Sequence, residues 1–190
     1  DWSSDVCSSD LVDFVLGSCF PHADWIFPTY MNLPETVTYK IVAAAPGNFG
    51  GYLDAELSDV PDGYDISNGI WQSWCFDHQT TIVMGWPYSM DVYSSLYPDQ
   101  LPAFTSSDEW DKANWLINHL DWYDGYEWYD VQGALWLLDD PQWDGTATGA
   151  VPALANMQFA QQMYNDAMQY GDDFIPLPGE YAAVVFVPEG

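Results

Sequence analysis

One cysteine and one glutamine are the residues of this chain best placed to do chemistry. Cys75 lies in Ile70-Trp71-Gln72-Ser73-Trp74-Cys75-Phe76-Asp77, and Gln132 in Asp130-Val131-Gln132-Gly133-Ala134-Leu135-Trp136. A thiolate at Cys75 that reaches the Gln132 carboxamide can expel ammonia and leave an internal thioester. The reaction needs a deprotonated sulfur, close approach and exclusion of water. Trp74, Phe76 and Trp136 are expected to keep hydrolytic water away, and Gly133 to let another backbone come close. Asp77 is expected to orient the amide or shuttle a proton, although a carboxylate beside a thiol opposes its ionisation. On a helix, Gln132 has Trp128 and Trp136 one turn to either side. A glutamine between indoles is poorly solvated and must find hydrogen-bond partners.

The elements that must hold these two residues are legible as patterns. Thr36–Ala44 and Tyr52–Val60 alternate as strands do and flank the turn-rich Pro46-Gly47-Asn48-Phe49-Gly50-Gly51. Ile70–Phe76, Thr80–Met84 and Met90–Ser94 are further strand candidates, and Tyr181–Val187 a closing strand. Between them the period becomes helical. Ser106 and Glu109 suggest a capping box ahead of Trp110, Ala113, Ile117 and Leu120. Asp130 is a cap candidate for a second helix, with Val131, Ala134, Leu135 and Leu138 on one face. A third helix is expected from near Pro152, with Ala153, Met157, Ala160, Tyr164 and Ala167 as its buried stripe and Gly171 as its end. Strands, then helices, then a strand indicate the α+β class. The expected architecture is a β-sandwich or barrel-like antiparallel sheet with an inserted helical subdomain, about three helices between residues 106 and 172.

Residues 1–11 stand apart. Ser3-Ser4-Asp5-Val6-Cys7-Ser8-Ser9-Asp10-Leu11 resembles a translated sequencing adapter and is set aside from the fold. The true N-terminus, with any signal peptide, is then expected to be missing, and the end at Val187-Pro188-Glu189-Gly190 to be a cut. Residues 12–35, with breakers at Pro21, Pro28 and Pro34, read as an irregular lead-in to a domain over 36–187. The chain carries 29 acidic residues against 2 basic ones, a formal charge of -27. Such a surface repels phosphate backbones, which argues against a nucleic-acid partner, and attracts cationic groups. No run approaches the roughly 18 apolar residues of a membrane span.

The two motifs resemble those of a known family. Trp74-Cys75-Phe76-Asp77 is similar to the aromatic-Cys-apolar-acidic strand motif of the Cys-Gln thioester domains of bacterial cell-surface adhesins. Val131-Gln132-Gly133-Ala134-Leu135-Trp136 resembles their Thr-Gln-x-Ala-apolar-Trp motif, with Val131 in place of the threonine. Tyr93-Ser94-Ser95-Leu96-Tyr97 and the run from Trp110 to Asn118 also look like related secreted domains. The resemblance covers roughly residues 36–187. It implies a secreted or surface-anchored adhesin-type domain that needs no cofactor. A Cys75–Gln132 thioester would be opened by an amine on a target, typically a lysine. The product is an amide at Gln132 with Cys75 released as a thiol, which is one-shot covalent capture and not turnover. Few lysines on the domain itself would limit self-reaction.

Other readings compete. A Cys19–Cys75 disulfide is the ordinary fate of two cysteines in an exported protein. A cysteine–histidine hydrolase would need His78, His22 or His119 at the sulfur; on a strand, positions 75 and 78 face opposite ways. A carbohydrate-binding or structural surface module could stack sugars on aromatics of the segment Trp122-Tyr123-Asp124-Gly125-Tyr126-Glu127-Trp128-Tyr129. Calcium is conceivable at loop carboxylates among Asp121, Asp124, Asp139, Asp140 and Asp144, without EF-hand spacing.

Overall fold

The computed structural model of the chain describes residues 13–18, 31–77, 82–102, 109–177 and 179–189. Alternating side chains build its sheet. In β2 (Thr36–Ala44), Val37, Tyr39 and Ile41 enter the core, and in β3 (Leu53–Ser58) Leu53, Ala55 and Leu57 do so. A period of two is what a strand with one buried face requires. The two strands pair antiparallel, with a bulge between Ile41 and Ala43. Their connection is held by Asp54, a buried carboxylate that accepts the backbone N–H of Asn48 at 2.7 Å and of Phe49 at 3.2 Å.

The other strands are β1 (Asp13–Ser18), β4 (Gly69–Cys75), β5 (Tyr88–Ser94) and β6 (Tyr181–Pro188). All pairings are antiparallel, in the order β1-β4-β3-β2-β5-β6, and β1 pairs with both β4 and β6, which closes a barrel. Closure removes the exposed edges an open sheet would present. The α+β class holds, and the sheet is of the barrel-like kind, not a sandwich. The irregular lead-in expected over residues 12–35 is corrected: Asp13–Ser18 is a strand in register with Cys75 at one end and Phe186 beside it. A short strand paired on both sides is specified by the strands it joins more than by its own composition. Cys19 and Pro21 lie outside the described residues. Of the expected strand Thr80–Met84, residues 80 and 81 lie outside them, and Ile82–Met84 is not strand.

Three helices intervene between β5 and β6: α1 (Trp110–Asn118), α2 (Trp128–Asp139) and α3 (Ala160–Tyr170). They pack on one another, with α1 also against β6 and α2 against β4. β6 is covered on both faces, so Ala182–Val187 is buried throughout and reads as an apolar run without alternation. α2 is likewise buried from Asp130 to Leu138, as a helix between sheet and helices must be. Among the described residues, no helix is long and apolar enough to cross a membrane.

Two helix starts differ from expectation. α2 begins at Trp128, and Asp130 sits in its first turn, where Oδ2 accepts the Glu127 N–H at 3.0 Å. The other oxygen of Asp130 accepts the Phe159 N–H at 2.9 Å, directly before α3. One buried carboxylate therefore satisfies the starts of two helices. α3 begins at Ala160 and not near Pro152, because Leu154–Asn156 forms a 3₁₀ turn that lays Met157 against α2. Ser106 is outside the described residues, and the Glu109 carboxylate is spent on Lys112 at 2.8 Å.

Candidate functional site

Cys75 is the last residue of β4, and Gln132 lies in the first half of α2, 57 positions further along. The β3–β4 register ends at Leu53 opposite Ser73, short of Cys75. There the Gln132 side chain takes over. Its Oε1 accepts the Cys75 N–H at 3.2 Å, and its Nε2 donates a short hydrogen bond to the Cys75 carbonyl. The carboxamide thus clasps the backbone of the very residue that carries the sulfur. Cys75 is present as a buried thiol whose Sγ donates to the Asp77 carbonyl at 2.9 Å.

Clasps of this kind recur in the fold. The Asn118 amide brackets the backbone of Tyr181 at 2.7 and 2.8 Å, and that of Asn68 brackets Val60 at 2.9 Å on each side. The motif is therefore a device this fold uses to satisfy backbone at the ends of strands. Two things set the Gln132 clasp apart: Gln132 is 0% exposed and Cys75 2%, and the bracketed residue is a nucleophile.

The surroundings are aromatic and dry. Trp74, Phe76 and Trp136 are all fully buried. Phe76 stacks on Trp110 of α1 at 4.2 Å, and Trp136 meets Tyr52 and Trp143 edge-on at 6.5 and 5.2 Å. Trp128 stacks on Tyr52 at 5.4 Å with the rings nearly parallel. Gly133 was expected to admit a backbone; it admits the Met157 side chain instead. A Cβ there would lie 2.4 Å from Met157 Sδ and 3.2 Å from the Ala160 methyl. The glycine sets how closely α2 and the start of α3 approach, and with it where Gln132 points.

Asp139, a loop carboxylate in the calcium reading, belongs to α2. It ends α2 on the face that carries Gln132 and Trp136. Burial, then the charges of Asp77 and Asp140, push its carboxyl up to about 7. A carboxylate at a helix C-terminus also opposes the helix dipole. The sign of the stability effect follows. The folded protein holds this proton more tightly than the unfolded chain, so stability falls as pH rises from about 4 to about 7 and changes no further above that. Asp139→Asn is expected to stabilise the protein by about 1–2 kcal/mol at pH 8 and to change nothing at pH 3, measured by urea unfolding at both.

Other candidate residues are placed elsewhere. Asp140 Oδ1 accepts the Gln142 N–H at 2.8 Å and Asp144 Oδ1 the Thr146 N–H at 2.9 Å, while Asp121 and Asp124 lie exposed. Among the described residues, no group of three or more His, Cys, Asp or Glu is arranged to hold a metal ion. His119 stacks on Trp115 at 4.3 Å and its Nδ1 meets the Trp115 carbonyl at 2.7 Å; His22 and His78 lie outside the described residues. Trp122 is 55% exposed, edge-on to Trp115 and His119, whereas Trp128 is engaged in packing. Comparison of the chain with protein-family models, with curated proteins and with solved structures gives no match.

Proposed function

We propose that this chain is a covalent capture domain of the bacterial surface-adhesin type, built around a Cys75–Gln132 thioester. The observation that carries the reading is the clasp: a buried carboxamide hydrogen-bonded to the backbone of a buried cysteine. Attack of sulfur on the Gln132 Cδ forms the S–C bond and breaks the C–N bond, and ammonia leaves with the thiol proton. Charge then develops on Oε1, which already faces the Cys75 N–H. A fixed donor at a developing oxyanion lowers such a barrier by about 3 kcal/mol. The dry aromatic surroundings protect the acyl bond from hydrolysis until an amine takes its place. The amine forms an amide with Gln132 and sulfur returns as a thiol, so each domain reacts once.

The charge pattern supports an amine on a partner over one on the domain itself. The chain has two lysines, Lys40 and Lys112, and both are ion-paired. Lys40 pairs with Glu56. Lys112 is buried against Glu109 and Asp172, each at 2.8 Å. Burial works against its charge, but the hydrogen bonds it donates to Asp172 and Glu109 outweigh this and hold the ammonium above its ordinary range. A protonated amine is no nucleophile. The acidic surface attracts lysine-bearing partners, as expected for a domain acting at a cell surface.

Intact mass tests the proposal. The folded chain is expected to be lighter than its sequence by one ammonia and to gain the mass of methylamine when incubated with it. Cys75→Ser should show the full sequence mass and no adduct. A wild-type protein at full mass, or a Cys75→Ser variant that still takes up methylamine, would overturn the assignment.

A further inference from the structure

We infer that this chain carries a second recognition site, a cavity that takes the guanidinium of an arginine on a partner polypeptide. The cavity lies between the segment after β5, the first half of α1 and the segment after α3, and holds about 390 Å³. Sites for small groups run from about 300 to 1,000 Å³. Neither Cys75 nor Gln132 lines it. One ring pair links it to their clasp, since Trp110 in the cavity wall stacks on Phe76, the residue after Cys75, at 4.2 Å.

Rings and carboxylates line the cavity together. Tyr97, Trp110 and Phe174 supply the rings, Asp111 and Asp173 the charge. Most of its other polar atoms are already engaged. Asp111 accepts the Lys112 N–H with one oxygen and the Asp173 N–H with the other, at 2.7 Å each. Asn114 donates to Ser95 Oγ at 3.0 Å and accepts the Ala183 N–H at 2.9 Å. The Asp173 carboxylate differs: the residue is exposed, and among the described residues it forms no ion pair. Its backbone is left-handed, with φ at 57°, a conformation that aspartate and asparagine tolerate better than most residues. The bond from Asp111 anchors it there. Nearby, Lys112 is already ringed by Glu109, Asp111 and Asp172. The chain has no arginine and its two lysines are both ion-paired, so a cation for Asp173 must come from another molecule. A guanidinium suits this lining, because its plane stacks on aromatic rings while its N–H groups fork onto a carboxylate.

The aromatic surface continues beyond the cavity, which favours a polypeptide over a small free cation. Phe174 meets His119 at 5.8 Å, His119 meets Trp122 at 5.1 Å, and Trp122 meets Tyr170 at 6.0 Å. Trp122 and Tyr170 are exposed, as is Ile175 in the cavity lining. A contiguous apolar surface beside an acidic cavity fits a segment whose arginine is flanked by apolar residues.

Calorimetric titration of the full chain with the peptide Gly-Leu-Arg-Leu-Gly, acetylated and amidated at its ends, tests the site. The peptide has no amine, so covalent capture at Gln132 plays no part and the outcome is independent of the thioester. One peptide is expected to bind per chain. Its counterpart with citrulline, which keeps the shape and loses the charge, should bind on the order of tenfold more weakly. Asp173→Asn, which suits the same backbone conformation, should weaken the arginine peptide about fivefold. Asp62→Asn, at an exposed carboxylate in the β3–β4 connection, should leave it unchanged. The arginine methylene proton resonances of the bound peptide should move upfield, as they do against ring faces. No binding, equal binding of the citrulline peptide, or unshifted methylene resonances would overturn the proposal. Equal weakening by Asp62→Asn and Asp173→Asn would overturn it too, since it would show only diffuse attraction to an acidic surface.

Discussion

Gln132→Leu is expected to abolish amine capture and to leave the protein about 3 kcal/mol less stable than Cys75→Ser, which also lacks the cross-link. The comparison between the two variants is what gives the number meaning. A thioester joining positions 57 apart restrains the unfolded chain much as a disulfide does, an effect of about 4 kcal/mol for a loop of that size. Both variants forgo it, so it cancels. What differs is the backbone of Cys75. In Cys75→Ser the carboxamide remains and still clasps the N–H and C=O of residue 75. In Gln132→Leu the volume is kept but both backbone groups lose their partner in a site with almost no access to water. Each orphaned buried group costs about 1–3 kcal/mol, and the added apolar contact of leucine returns only part of this. Urea unfolding of the two variants under identical conditions gives the difference directly. Equal stabilities would show that the clasp does not hold β4 to α2.

Lys112→Met is expected to cost about 3 kcal/mol, a large effect for one lysine. Methionine keeps most of the stem, so little packing is lost. The charge is another matter. The ammonium is buried and lies between Glu109 and Asp172 at 2.8 Å each, with Asp111 at 3.5 Å. Removing it leaves Glu109 and Asp111, both largely shielded from solvent, without their counter-charge in a chain already at -27. Lys112 also lies at the α1–α3 junction, where a Cβ on Gly171 would come within 2.8 Å of its Cα. The lysine holds its proton more tightly folded than unfolded. Its contribution is therefore complete below about pH 10 and is lost only as pH rises beyond that. Thermal melts at low and high salt provide the check: added salt should recover part of the loss in the variant, because it screens the carboxylates left behind. A melting temperature unchanged from the wild type would mean that the ion cluster contributes nothing net.

The stabilising effect expected of Asp139→Asn contrasts with both. A carboxyl pushed up to about 7 by burial and by its acidic neighbours costs the fold stability at neutral pH. Fold energetics alone would favour an amide there.

Much of this could be read from the residues alone. Strict alternation in Thr36–Ala44 marks β2 to the residue, because Val37, Tyr39 and Ile41 can share a face only on a strand. The clustered Pro, Gly and Asn of 46–51 mark the connection to β3, and Gly171 the end of α3. Cys75 and Gln132 were picked out by their chemistry and their aromatic neighbours. Other features belong to no local pattern. Asp130 looks like a helix cap, yet it serves two helix starts at once because α2 and α3 happen to meet there. β1 became a strand by completing a barrel. The Gln132 amide joins the first half of a helix to the end of a strand 57 positions away in the chain. The amino-acid sequence by itself determined which side chains can react, which faces are apolar and where the chain turns, since these follow from residue type and short-range geometry. Only the tertiary structure decided that the Gln132 amide closes on Cys75 and that one carboxylate serves two helix starts, because hydrogen bonds act over a few ångströms whatever the separation along the chain.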